Sequence, residues 1–137
     1  MTNQVIKEAL KRRHLSITQP RLAVYELLSR SEPLTMQELI AALPHMDPTT
    51  VYRTVALFEV HGVAQRLQIG WKYKLELSNE YQDHHHHITC VDCGETVALP
   101  EDDPIEVRLH AMAIAQGYVP LDHQLEVRGR CKSCART

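Results

Sequence analysis

Residues 47–62, DPTTVYRTVALFEVHG, read as one helix with its start and stop written into it. Asp47 is an N-cap residue type, Pro48 fits the first turn where no backbone N–H is needed, and Gly62 suits the position just past a helix end. The first turns are crowded with Thr49, Thr50, Tyr52, Arg53 and Thr54, the residue types that reach phosphates and base edges from a helix N-terminus. Working backwards, Thr35 and Glu38 make a T-x-x-E capping box that opens a short helix with Leu39, Ile40 and Leu43 inward. Before that, Thr18 followed by Gln19-Pro20 starts a helix with Leu22, Val24, Tyr25, Leu27 and Leu28 on its buried stripe, ended by Ser31-Glu32-Pro33. Asn3 to about His14 is a further helix, with Val5, Ile6 and Leu10 at helical spacing. Working forwards, VAQRLQIGWKYKLEL (63–77) alternates around Gly70 as a two-stranded hairpin does. Short helices followed by a hairpin predict the winged form of the helix-turn-helix, whose last helix enters the major groove. A plain helical bundle is the competing reading, and the content of residues 49–54 argues against it. Basic residues that could flank such a reader are Lys11, Arg12, Arg13, Arg21, Arg66, Lys72 and Lys74.

The chain has 137 residues, 44% hydrophobic and 23% charged, which suits one globular domain or two very small ones. Its net charge of −2 conceals an asymmetry. Residues 1–78 hold ten Lys/Arg against seven Asp/Glu, and residues 79–137 hold five against ten. The second segment also owns all four Cys and six of the nine His. We therefore expect two domains, 1–78 and 79–137, divided in the polar stretch SNEYQD. No apolar run approaches the roughly 18 to 20 residues that cross a bilayer, and the N-terminus lacks a secretory pattern. A soluble cytoplasmic protein without a membrane role is expected, in which paired cysteines bind metal or do redox work more often than they form lasting disulfides.

Cys90-Val-Asp-Cys93-Gly94 and Cys131-Lys-Ser-Cys134 are two C-x-x-C pairs, and together they can complete a tetrahedral four-cysteine zinc site. Thirty-seven residues separate the pairs, so a small subdomain must fill the interval. Two redox dithiols, or disulfides, are the other readings of the same spacing. The run His84-His85-His86-His87 directly precedes the strand-like ITCVDCG. In an extended chain His84 and His86 face one way and His85 and His87 the other, so one peptide can serve two metal sites. Farther along, Asp103-Pro104 caps a helix ending at Gly117, with Ile105, Val107, Leu109, Met112 and Ile114 as its apolar positions. Glu106 and His110 share one face of that helix, and His123 precedes the alternating strand QLEVRG. Each of these is a candidate ligand, and each alone is equally at home on a solvated surface.

The ordered set Thr18-x-x-Arg21, Thr50-Val51-Tyr52-Arg53-Thr54, HHHH-x-x-C-x-x-C-G and the terminal C-x-x-C resembles the ferric uptake regulator (Fur) family. The likeness runs over nearly the whole chain. It implies an α+β protein with an N-terminal winged helix-turn-helix and a small α/β dimerisation domain carrying structural zinc. It further implies a homodimeric, metal-responsive repressor that binds double-stranded operator DNA and has no small-molecule substrate. On this resemblance Cys90, Cys93, Cys131 and Cys134 hold the structural zinc. His84, His86, Glu106 and His123 form a site within the dimerisation domain, where many relatives have Asp at the place of His86. A regulatory hinge site keeps His85 and His87, but the ligand usually supplied before the third helix falls here at Glu32-Pro33. The Glu common after the hairpin aromatic is Lys74, following Tyr73, and Glu76 is proposed as the substitute. Arg21, Thr49, Thr50, Tyr52 and Arg53 are the expected DNA contacts. The regulatory metal would be divalent Fe, Zn or Mn, governing metal-homeostasis or related genes.

Three rival functions differ in what they require. A zinc enzyme needs an open site and a general base, and the chain has no H-E-x-x-H, nor an H-x-E followed by P-C-x-x-C; it is not expected to be an enzyme. A zinc-stabilised protein-interaction module would never touch DNA. A peroxide sensor of the same family would oxidise a ligand histidine.

Overall fold

The computed structural model describes residues 2–69, 71–78, 80–81 and 85–136. They divide into two compact units that part between Tyr81 and His85. Gly70 and His84, on which parts of the sequence reading fall, lie outside the described residues.

In the first unit four helices, α1 (Thr2–Arg12), α2 (Gln19–Ser29), α3 (Met36–Ala42) and α4 (Pro48–Val60), precede a hairpin of β1 (Ala64–Ile69) and β2 (Lys72–Leu77). The capping chemistry is the one written in the sequence. Thr18 accepts from the Arg21 N–H, Asp47 accepts from the Thr49 N–H at 2.8 Å, and Thr35 and Glu38 close a reciprocal box. Gly62 ends α4 at φ 72°, a left-handed conformation that glycine adopts without a Cβ clash. One apolar stripe from each helix meets at a common centre of Ile6, Leu10, Val24, Leu28, Leu39, Val51, Val55 and Phe58. The hairpin covers this centre with Leu75 and Leu77, in an antiparallel register of Ala64↔Leu77 and Arg66↔Leu75. Leu34, between α2 and α3, bonds to Leu75 in both directions and ties the hairpin to the helices. This is a winged helix-turn-helix, with α4 in the position of the reading helix.

Two details of this unit differ from expectation. Helix α1 ends at Arg12, and His14 takes a left-handed φ of 57°. Val5 is exposed because Ile6, Ala9 and Leu10 already fill the inward stripe at spacings of three and four.

The second unit is a three-stranded sheet in the order β4-β3-β5, with β3 (His87–Cys90) central, β4 (Thr96–Ala98) antiparallel to it and β5 (Glu126–Gly129) parallel to it. A parallel neighbour needs a crossover, and α5 (Asp103–Ala115) provides it. The N-cap of α5 is Asp102, whose side chain accepts from the Ile105 N–H at 3.3 Å, and Asp103 is its first helical residue. No described side chain of α5 is buried: Ile105, Val107, Met112 and Ile114 are exposed rather than packed inward. The short α6 (Lys132–Ala135) closes the unit. No helix among the described residues is long and apolar enough to cross a membrane.

Candidate metal centres

The first centre grows from two tight turns. Gly94, at φ 80°, lets the chain turn back after β3, and its N–H bonds to the Cys90 carbonyl at 2.9 Å. The second turn follows β5, where Cys131 caps α6. Because β3 and β5 are paired, with Cys90 opposite Gly129, the two turns lie at the same end of the sheet. The four Sγ atoms of Cys90, Cys93, Cys131 and Cys134 all lie within 4.8 Å of one another. Those of Cys93 and Cys131 are 3.8 Å apart. Two thiolates at about 2.3 Å from a shared tetrahedral zinc are separated by about 3.8 Å, whereas a disulfide needs about 2.05 Å. None of the four cysteines is in a disulfide. The four sulfurs converge on one point rather than forming two separate pairs, and the set fits structural zinc.

The surroundings of Cys90 favour the thiolate that a metal requires. The backbone N–H of Cys93 and that of Cys131 both donate to its Sγ, at 3.5 and 3.3 Å, and hold its thiol down to about 6. Cys134 is pushed the opposite way, up to about 12, by Cys131 and then Cys90 beside it. Arg130 pairs with Asp92 at 3.1 Å and links the two turns from outside.

The second centre joins all three parts of the same unit. His86 precedes β3, Glu106 stands on the first turn of α5, and His123 lies before β5. Glu106 Oε1 is 2.5 Å from His86 Nε2, and its Oε2 is 2.7 Å from His123 Nε2. The two Nε2 atoms face each other at 3.3 Å, close to the spacing of about 3.3 Å expected for two imidazoles bound to one tetrahedral ion. A carboxylate and two imidazoles suit the borderline divalent ions, including Zn, Fe and Mn. His110 is exposed and does not join this cluster.

His85 and His87 turn together on the other side of the chain from His86, their rings 4.5 Å apart and nearly perpendicular. His87 is buried, and Glu126, its partner in the β3–β5 register, brings Oε1 to 3.6 Å from His87 Nδ1. Glu126 is a neighbour of His87 that the sequence reading did not name. The signal available was the alternation of QLEVRG beside ITC, but pairing the two strands requires knowing that they are parallel neighbours. Glu76 belongs to the first unit, buried on β2, where its Oε1 accepts from Gln65 Nε2 at 3.0 Å.

Helix α4 divides cleanly between its faces. Val51, Thr54, Val55 and Phe58 point inward, and Thr49, Tyr52 and Arg53 stand exposed, Tyr52 with half its surface in water. Thr50 is half-buried. Thr54, read from the sequence as one of the DNA-facing threonines, is instead buried, and its Oγ1 donates to the Thr50 carbonyl at 2.8 Å. Arg21 is half-buried and donates to the Ser16 carbonyl. Of the flanking cations, Arg13 is spent on the Ala9 and His61 carbonyls and Arg66 on Glu59, at 2.6 Å, and on the Tyr73 ring, at 4.0 Å.

Comparison with known proteins agrees with this arrangement along the length of the chain. The ferric uptake regulation protein of Vibrio cholerae serotype O1 is 34% identical over 133 residues, spanning 92% of this chain and 87% of that one. A crystal structure of the Vibrio cholerae ferric uptake regulator superposes with a TM-score of 0.76 at 32% identity, covering 90% and 98% of the two chains. The ferric uptake regulator of Pseudomonas aeruginosa, solved with manganese, superposes with a TM-score of 0.77 at 26% identity, covering 92% and 97%. The model of the ferric uptake regulator family matches residues 12–128. That match spans the winged helix and most of the second unit, and the chain belongs to the ferric uptake regulator family.

Proposed function

We propose that this regulator is a homodimeric, metal-dependent repressor whose α4 reads operator DNA. The observation that carries the reading is the division of α4: Thr49, Tyr52 and Arg53 face water from its first two turns while the opposite face is locked into the core. A helix fixed in this way presents its N-terminal N–H groups and these side chains to a groove without further ordering cost. Dimerisation is supported by the second unit, which leaves Val107, Ile114, Tyr118, Val119 and Leu121 exposed, Leu121 at 92%. Apolar surface on this scale in so small a unit marks an interface. A dimer also supplies the second reading helix that a half-site arrangement needs.

Cys90, Cys93, Cys131 and Cys134 serve as the structural zinc ligands in this proposal. His86, Glu106 and His123, with His84, hold a second divalent ion, and His85, His87 and Glu76 are the ligands of the switch. A bound divalent ion supplies positive charge and a fixed ligand geometry at each place. If one arrangement of the dimer suits both metal and operator, each ligand raises affinity for the other by the same factor. The test is the affinity of a duplex selected by the protein from a random-sequence pool, measured with and without Fe²⁺, Zn²⁺ or Mn²⁺. Metal should tighten binding, and Tyr52→Ala with Arg53→Ala should abolish it while leaving the fold intact. Equal affinity at every metal concentration would sink the sensing claim, and binding that survives the double substitution would sink the assignment of α4.

A further inference from the structure

The central strand of the second unit brings a carboxylate to a histidine of the proposed switch. His87 opens β3 and has a register partner on each side, Ala98 of β4 and Glu126 of β5. Register partners project from the same face of a sheet, so the three side chains stand in one row. Ala98 brings only a methyl group to the ring, whereas Glu126 brings a carboxylate. The His87 side chain is 1% exposed and the Glu126 side chain 29%. A glutamate at a strand edge is at home in water, yet this one carries Oε1 to 3.6 Å from His87 Nδ1. His85 sets its own ring 4.5 Å from that of His87, at 74° to it. The buried imidazole therefore has a carboxylate on its Nδ1 side and a second imidazole beside it.

An imidazole that binds a metal through one nitrogen is oriented by whatever accepts the N–H of the other. We propose that Glu126 is a positioning residue of the His85–His87 site: its carboxylate accepts the Nδ1 proton of His87, fixes the ring, and leaves Nε2 as the nitrogen offered to a divalent ion. The inference rests on the reading of His85 and His87 as switch ligands, and adds a residue that acts on the ion only through His87. A charge-assisted N–H···O bond is about 2.7 to 2.9 Å long, so less than about 1 Å is left to close, a small rotation of the flexible glutamate stem. Burial sharpens the effect, because a ring withdrawn from water depends on protein groups to hold its N–H. The carboxylate also makes Nε2 the more basic of the two nitrogens. Glu106 differs in kind, since its two oxygens reach both rings of the other cluster and place it as a ligand itself.

The test uses the full chain with zinc on its four cysteines. Long-range ¹H–¹⁵N correlation of the histidine rings, at about pH 8 where imidazoles are neutral, reads which nitrogen carries the proton. His87 should be protonated at Nδ1 in the parent and should move toward the Nε2–H form in Glu126→Leu. Co²⁺ affinity, measured against a fluorescent chelator in a Glu106→Ala, His123→Ala background, isolates the His85–His87 site. Glu126→Leu should weaken it by about 10- to 100-fold, and Glu126→Gln, whose amide oxygen still accepts, should recover most of the loss. Both variants should keep the cysteine-bound zinc, which shows that the unit is folded. An Nε2–H form of His87 in the parent, or full affinity in Glu126→Leu, would overturn the proposal. So would Glu126→Gln behaving as Glu126→Leu, because charge and not proton acceptance would then be at work. Loss of an oxygen ligand from Co²⁺ in the X-ray absorption of Glu126→Leu would make Glu126 a ligand and overturn its positioning role. Parental affinity in His87→Ala would instead remove the switch site itself, a failure distinct from that of Glu126.

Discussion

The backbone N–H of Cys131 donates to the Sγ of Cys90 across 3.3 Å, although the two residues stand 41 positions apart. This bond ties the end of the chain to the central strand, and it does so in a unit with little apolar interior. Among the described residues of the second unit the buried ones are His87, Thr89, Cys90 and Thr96, none of them a large aliphatic side chain. Burial of this kind supplies little hydrophobic stabilisation, whereas a structural zinc site contributes about 10 to 16 kcal/mol of apparent binding energy in small domains. Cys131→Ser should therefore release about one zinc per chain in metal analysis and leave β3, β4 and β5 unprotected in hydrogen exchange. Protection of α2 and α4 should be unchanged, since their core is complete without metal. Full zinc retention by the variant would refute the assignment.

The capping box of α3 gives a prediction confined to the first unit. Thr35 Oγ1 accepts from the Glu38 N–H at 3.1 Å, and the Thr35 N–H donates to Glu38 Oε1 at 3.0 Å. Thr35→Ala should cost about 1 kcal/mol in the melting of this unit. The same N–H of Thr35 holds the Glu38 carboxyl below its ordinary 4.5. A carboxyl lowered on folding stabilises above its unfolded value and loses that contribution as pH falls through the folded one. Glu38→Gln should thus destabilise near neutral pH and converge with the parent below that folded value. The difference should be small, because Glu38 is exposed and screened by solvent. A gap that persists unchanged into acid would show that charge is not its source.

What the sequence disclosed followed the range of the interactions involved. Caps, the Gly62 stop and the hairpin pairing are local, so Asp47, Thr35 and the alternation of residues 63–77 were enough to give a winged helix. The thiols were legible as pairs because C-x-x-C fixes each pair within one turn. Their convergence depends on β3 and β5 lying parallel, which no spacing reveals. Helix α5 misled at its start: Asp102 and Asp103 are both acceptable caps, and the structure uses the first. Its apolar positions were legible but not their burial: Ile105, Val107, Met112 and Ile114 are exposed in the single chain, since a pattern cannot distinguish a core from an interface. Thr54 was misread for the complementary reason: threonine suits a groove and a helix interior alike, and its i−4 bond to Thr50 decides the matter.

Glu106 bridges His86 and His123, one carboxylate oxygen to each ring. Among the described residues it is also the α5 side chain that reaches this cluster. Loss of an outer-shell partner of a metal ligand costs about 10- to 100-fold in metal affinity, and loss of a carboxylate that is itself a ligand should cost at least that much. Glu106→Ala should weaken binding of the second divalent ion accordingly in competition with a fluorescent chelator, with the zinc of the four cysteines retained. Unchanged affinity for that ion would remove Glu106, and the cluster with it, from the metal sites.

The two faces of α4 can be separated by substitution. Thr54 is buried between Val51, Val55 and Phe58 on the helix's inward side, so Thr54→Val keeps the shape and replaces a hydroxyl by a methyl in apolar surroundings. The lost bond to the Thr50 carbonyl is a back-bond that the helix does not need, because that carbonyl already has its place in the i→i−4 ladder. Stability should stay within about 0.5 kcal/mol of the parent and operator affinity should not move. Arg53→Ala should do the reverse, leaving the melt unchanged and weakening the selected duplex by about ten-fold or more, as loss of a groove contact of about 1 to 3 kcal/mol requires. If Thr54→Val weakened DNA binding while Arg53→Ala did not, α4 would have to dock by the face that the core now covers, and the winged helix could not be reading DNA in this conformation.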